Sequence, residues 1–133
     1  MKKRDKVKLK YGGRCAYSGT ILEDDWQVDH LIPKINFKLM LTEGNPNDIK
    51  NLLPVQGLIN HYKRGLSLEE FRNWYLGGLH IRLKKLPKHP RTEKSKKHKA
   101  YMLKIANYFG ITEDKPFNKQ FYFENYANKD NRT

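Results

Sequence analysis

The stretch Val28-Asp29-His30-Leu31-Ile32-Pro33 constrains the fold more tightly than any other part of this chain. Trp26, Val28 and their neighbours read as a strand whose alternate side chains face a core. Pro33 has no N–H to give a ladder, so a central strand cannot run through it. The strand is therefore short, and it carries a carboxylate and an imidazole side by side at its end. Consecutive strand residues point to opposite faces. For Asp29 and His30 to serve one site, the strand has to end or bulge where they stand.

The segments on either side suggest a small mixed fold. Lys3 to Tyr11 is predicted as a basic helix stopped by Gly12-Gly13. Arg14 to Gly19 reads as a turn that holds the single cysteine, Cys15, as a small buried residue. Lys34 to Lys50 reads as a long loop around Gly44-Asn45-Pro46-Asn47-Asp48, and Ile49 to Leu53 as a second short strand. Pro54 suits the first turn of a helix. In that helix Val55, Leu58, Ile59 and Tyr62 follow core-facing spacing. Gln56, Asn60 and Lys63 fall on another stripe, expected to face whatever the protein acts upon. Ser67-Leu68-Glu69-Glu70 has the form of a capping box opening a helix with Phe71, Trp74 and Tyr75. Tyr101 to Phe109 is amphipathic, with Gly110 at the left-handed cap position. Phe117 to Glu124 alternates like a strand, and the tail from Asn125 is expected to fray.

Charge narrows the partner. Lysine and arginine number 27 against 14 acids, a net charge of +13. That excess favours a polyanion, because neutralised phosphates release condensed counterions. Nine of the basic residues lie between Arg82 and Lys99, against one acid, Glu93; the segment reads equally as a solvated linker or as a DNA contact. With 38% hydrophobic residues the chain can fold. It has no apolar run that could span a bilayer and no apolar stretch typical of a signal peptide. A soluble cytoplasmic protein is expected. A lone cysteine excludes an internal disulfide and a four-cysteine zinc site.

Three elements taken together carry a family resemblance: Val28-Asp29-His30-Leu31-Ile32-Pro33, Asn51-Leu52-Leu53, and Asn60-His61-Tyr62-Lys63. The set resembles the HNH endonucleases (ββα-metal, or His-Me finger, nucleases) over some fifty residues, from Gly12 to Gly65. The fold this implies is α+β: a ββα-metal core with flanking helices and a C-terminal helix-strand extension. Residues 1–80 would form the core with its N-terminal helix. Residues 81–133 would form a basic extension packed on it as one domain.

The resemblance implies an enzyme that hydrolyses phosphodiester bonds in DNA, leaving 5′-phosphate and 3′-hydroxyl ends. His30 takes the general-base position, since an imidazole titrates near neutrality and can accept a water's proton. Asp29 and Asn60 take the metal positions, where hard cations prefer carboxylate and carbonyl oxygen. The expected cofactor is one divalent ion: Mg²⁺, with Mn²⁺ or Ni²⁺ as alternatives. Asn51 would hold the imidazole or its surrounding loop. Lys63, Arg64, Lys96 and Lys97 are the expected nucleic-acid contacts. His61 is the literal alternative to Asn60, but a helix turns about 100° per residue, so the two cannot both face one ion squarely, and the spacing to Lys63 favours Asn60. Many relatives carry two Cys-x-x-Cys pairs; the equivalent positions here are Cys15, Ser18, Gln56 and Ile59, so no structural zinc is expected.

Each residue also has a plainer reading: His30 as a bonded structural histidine, Asp29 and Asn51 as turn formers, Asn60 as a solvent-facing helix residue. The competing functions are a non-catalytic DNA-binding module and an RNA-directed nuclease. No membrane partner is expected. A monomer or homodimer, or a larger phage or defence assembly, fits equally. Target sequence, nicking versus double-strand cleavage, and the biological role (restriction, packaging, homing or defence) remain open at this level.

Overall fold

The computed structural model describes the backbone of residues 1–130 and the side chains of residues 1–126. The fold is α+β. In chain order it runs α1 (Lys3–Leu9), β1 (Gln27–His30), α2 (Lys34–Lys38), β2 (Leu52–Val55), α3 (Gly57–Lys63), α4 (Leu68–Glu70), α5 (Leu79–Lys84), α6 (Glu93–Phe109) and α7 (Tyr122–Asp130). A 3₁₀ turn, Ile49–Asn51, leads into β2, and a wide π-helical stretch, Phe71–Leu76, follows α4. No helix of the described residues is long and apolar enough to cross a membrane.

The chain divides into two compact units. The first takes residues 1–68 and the segment from Phe121 onward; the second takes Glu69–Gln120. The boundary thus falls at Leu68 rather than after residue 80, and the last helix returns to the first unit.

In the first unit β1 and β2 form an antiparallel pair, with Gln27 opposite Val55, Val28 opposite Pro54, Asp29 opposite Leu53 and His30 opposite Leu52. Pro54 lies within β2, not in a helix as its residue type suggested. The register explains why a proline is tolerated. Leu31 N–H bonds to the Asn51 carbonyl, and in an antiparallel ladder bonded and non-bonded pairs alternate. That alternation makes Val28–Pro54 a non-bonded pair, which asks no N–H of the proline. The Pro54 carbonyl is used, accepting from Ala16 N–H at 2.8 Å. Helix α3 begins only at Gly57, where a Cβ would stand 2.6 Å from the Asp25 carbonyl oxygen. That close approach requires glycine, and it seats the helix against the 23–26 turn.

The core of this unit gathers Val7, Cys15, Tyr17, Trp26, Leu53 and Ile59. Phe121 closes it, fully buried, with its ring centroid 5.1 Å from that of Tyr17. The strand expected over Phe117 to Glu124 is absent. Phe121 N–H donates to the Glu124 carboxylate at 3.0 Å, the reach-back half of a capping box, and α7 starts there instead. The helix takes in Asn125 and runs to Asp130 in backbone trace; residues 131–133 lie outside the described part.

Two further expectations need correction. The loop over Lys34 to Lys50 contains α2 and the 3₁₀ turn. In the second unit, the basic stretch after Thr92 is the opening of α6 and not a linker. Thr92 caps that helix, its hydroxyl accepting from Ser95 N–H at 3.1 Å. The C-terminal end of α6 follows the sequence reading: Gly110 is left-handed, and Ile111 N–H bonds to the Ala106 carbonyl.

Around Ser18 and Gln56 the first unit builds a hydrogen-bond network. Gln56 is fully buried. Its carbonyl accepts from Glu23 N–H at 3.0 Å, and its amide donates to the Thr20 hydroxyl at 2.9 Å and the Ile21 carbonyl at 2.8 Å. Ser18 and Thr20 share a hydroxyl–hydroxyl bond of 2.7 Å. Gln56 thus ties the start of α3 to the 20–23 turn. Replacing it with leucine should leave the Glu23 N–H and Ile21 carbonyl unpaired. At about 1–3 kcal/mol per unpaired group, Gln56→Leu should lower the free energy of urea unfolding by about 3 kcal/mol. A loss below about 1 kcal/mol would show that these backbone groups do not depend on Gln56.

Candidate active site

β1 ends at His30 without a bulge, since His30 still pairs regularly with Leu52. Side chains therefore alternate up to the last residue. Gln27 and Asp29 share the face turned toward α3, and His30 leaves by the other.

On the α3 face the structure brings Asp29, Asn60 and Lys63 to one interface. The Lys63 ammonium lies 3.0 Å from Asp29 Oδ2, with the side chains only 3% and 13% exposed. The Tyr17 hydroxyl donates to the same oxygen at 2.6 Å. Burial pushes the Tyr17 phenol well above its usual range, and the Asp29 charge pushes it the same way, so it stays a donor. Both partners use Oδ2, and Asp29 Oδ1 has no partner among the described residues. One turn back on α3, Asn60 donates its amide to Gln27 Oε1 at 2.6 Å. Its carbonyl oxygen likewise has no partner among the described residues. Two oxygens of the kind a hard cation takes are thus held by their neighbouring atoms and left open. His61 is exposed, whereas Asn60 reaches β1. Among the described residues no three His, Cys, Asp or Glu side chains cluster as a metal site, so any ion here would rest on one carboxylate and one amide.

On the opposite face His30 Nε2 lies 3.0 Å from Asn47 Oδ1. An amide oxygen can only accept, so Nε2 is the donor of this contact and, in the neutral ring, Nδ1 is the nitrogen with the lone pair. Asn47 is itself fixed: its N–H donates to Asn45 Oδ1 at 2.9 Å and its carbonyl accepts from the Lys3 ammonium.

Asn51 is 7% exposed and spans the base of the loop. Its Oδ1 accepts from Ile32 N–H at 2.7 Å, and its Nδ2 donates to the carbonyls of Ile32 and Pro46 at 3.0 and 2.9 Å. It therefore holds the loop and does not touch the imidazole. Those three bonds make it a positioning residue.

The remaining expected residues scatter. Lys63 is buried within the site and paired with Asp29, so it is not the exposed phosphate contact its residue type suggested. The stripe Gln56-Asn60-Lys63 is likewise turned inward, Gln56 to the 20–23 turn and the other two to β1. Arg64 is exposed, at the end of α3. Lys96 and Lys97 are exposed on α6 in the second unit, Lys96 at 3.5 Å from Glu93. Sequence reasoning missed three contributors. Gln27, two residues before Asp29, was legible from strand alternation alone. Asn47 and Tyr17 carried no signal beyond a turn former and a core aromatic.

No family model, curated protein or solved structure matches the sequence.

If Asn51 holds the loop base, Asn51→Ala should speed amide exchange at Ile32 by roughly tenfold or more, because three bonds each worth about 1 kcal/mol disappear together. Unchanged exchange, read by NMR, would mean that the loop base is held by other groups.

Proposed function

We propose that this chain is a metal-dependent endonuclease of the HNH type, hydrolysing phosphodiester bonds in DNA. Its core would be a ββα-metal unit formed by β1, β2 and α3. His30 would be the general base, and Asp29 and Asn60 would hold one divalent ion, Mg²⁺ by preference. The observation that carries this reading is the pair of open oxygens on one face of β1 with the His30 imidazole on the other, its Nε2 held by Asn47.

That opposition suits the reaction. In-line displacement at phosphorus needs the attacking water and the departing oxygen on opposite sides. A phosphodiester lying across the end of β1 would meet His30 Nδ1 on one side and the two oxygens on the other. A bound divalent cation supplies charge stabilisation for the phosphorus oxygens and the leaving group. His30 takes the proton of the attacking water at Nδ1, while Asn47 keeps the ring oriented through Nε2. Tyr17 and Lys63 fix the orientation of Asp29 through Oδ2, and Asn51 keeps the loop beside His30 in place.

The Lys63–Asp29 pair also favours a second reading, a degenerate fold that binds DNA without cutting it. A carboxylate already facing an ammonium attracts a cation weakly, so the ion would enter together with a phosphate that adds negative charge. Plasmid nicking separates the two readings. The proposal expects nicking with Mg²⁺, none with EDTA, and a loss of about 10²–10⁴-fold in His30→Ala, the range for a removed general base. Binding without nicking under all these conditions would favour the second reading. Lys63→Met should tighten Mn²⁺ binding to the DNA-free protein, read by titration calorimetry. Unchanged affinity would remove Lys63 as the cause of weak binding.

A further inference from the structure

The loop that Asn51 holds carries a feature which neither the core nor the hydrolytic groups use. Leu39, Met40 and Leu41 are consecutive and 61%, 87% and 72% exposed. Ile35, one helical turn before Leu39, is 52% exposed. Exposed Lys34 and Lys38 stand on the same short helix as Ile35, and exposed Glu43 and Lys50 follow further along the loop. Scattered exposed leucines are ordinary, but a contiguous apolar tip in a basic setting is not.

The backbone beneath this tip is a Schellman turn closing α2. Met40 N–H bonds to the Phe37 carbonyl at 3.1 Å, and Leu41 N–H to the Asn36 carbonyl at 2.9 Å, the paired pattern of that motif. The motif puts its left-handed residue at the place glycine normally takes, and here Met40 stands there with φ +59°. A methionine in that conformation is strained. The residue the motif places opposite Leu41 at the third position is the polar Asn36, and Leu41 stays exposed. Met40 is the most exposed of the three and sits where glycine would cost less, so a ligand accounts for its large apolar side chain better than the fold does.

We propose that Leu39, Met40 and Leu41 form a wedge that enters duplex DNA between base steps beside the candidate active site. This rests on the nuclease reading for its choice of ligand. Leucine and methionine are among the side chains that unstack base steps, and Lys34 and Lys38 would take the flanking phosphates. The loop is anchored to Asn51 at Ile32 and Pro46 and meets His30 through Asn47. A duplex opened at the tip would therefore present a distorted, accessible backbone to the strand end.

Such insertion unwinds the helix whatever its sequence, so the test needs no known target. His30→Ala protein, which should bind without cutting, is titrated onto closed circular plasmid with a metal-independent topoisomerase in EDTA. The expected result is a shift of the topoisomers toward negative linking number. The shift should vanish when Leu39→Ser, Met40→Ser and Leu41→Ser are combined on that background, while DNA binding keeps its salt dependence. Met40→Gly, which relieves the backbone and removes the tip, should reduce the shift and decides the matter if the triple variant fails to fold. Absence of a shift with bound protein, or an equal shift in wild-type and serine tips, overturns the wedge. So does a dimer that becomes monomeric in the serine variant with no change in DNA topology; that result assigns the tip to a second copy of the chain. Nicking by the wild-type protein with Mg²⁺ is read in parallel. Nicking without unwinding sinks the wedge alone, unwinding without nicking sinks the hydrolytic reading alone, and loss of both nicking and binding sinks the two together.

Discussion

The arrangement around His30 depends on one buried amide. Asn51 uses its oxygen and its nitrogen to join Ile32 and Pro46, fourteen positions apart in the chain. Closing a flexible segment of that length costs conformational entropy, and this side chain, just before β2, ties its two ends together. Because Asn51 adjoins the paired strands, both ends of the loop are referenced to the sheet. Asn47, the partner of the imidazole, follows directly after the second anchor. The same tie carries the exposed apolar turn, so its position relative to the end of β1 is set by the same side chain.

Across the strand the controlling interaction is electrostatic. A net charge of +13 leaves few carboxylates to spare, and the one on β1 is held by a buried ammonium and a phenol. Removing both charges from water is costly unless they face each other with good hydrogen bonds, which accounts for both partners converging on Oδ2. The consequence is directional: one oxygen is saturated and the other remains open. In the proposed enzyme, a nearly neutral site on a strongly basic protein would take its metal with the nucleic acid and not before it.

Much of the site is legible in the amino-acid sequence. Strand alternation together with Pro33 places Asp29 and His30 at a strand end, and helical spacing puts Asn60 and Lys63 one turn apart. Local preference misleads where tertiary contacts override it. Pro54 looks like a helix start when its residue type is judged singly; only the alternation of the ladder reveals a position that needs no N–H. Lys63 looks like a surface contact because lysines usually are, and its burial depends on Asp29 and Tyr17, distant in sequence. The alternation of Phe117 to Glu124 imitates a strand because Phe117, Phe121 and Phe123 are needed by cores, while Glu124 caps a helix. Tyr17 and Asn47 act through side-chain geometry that no spacing rule encodes.

The return of α7 to the first unit has a consequence for how the chain is made. Residues 69–120 interrupt that unit, so its earlier part leaves the ribosome without Phe121, which seals the underside of Tyr17. Domains tend to fold as they are synthesised, and here the interrupting unit can mature first while its host still lacks a wall. The phenol that braces Asp29 thus gains its Phe121 neighbour only after the interruption has been translated.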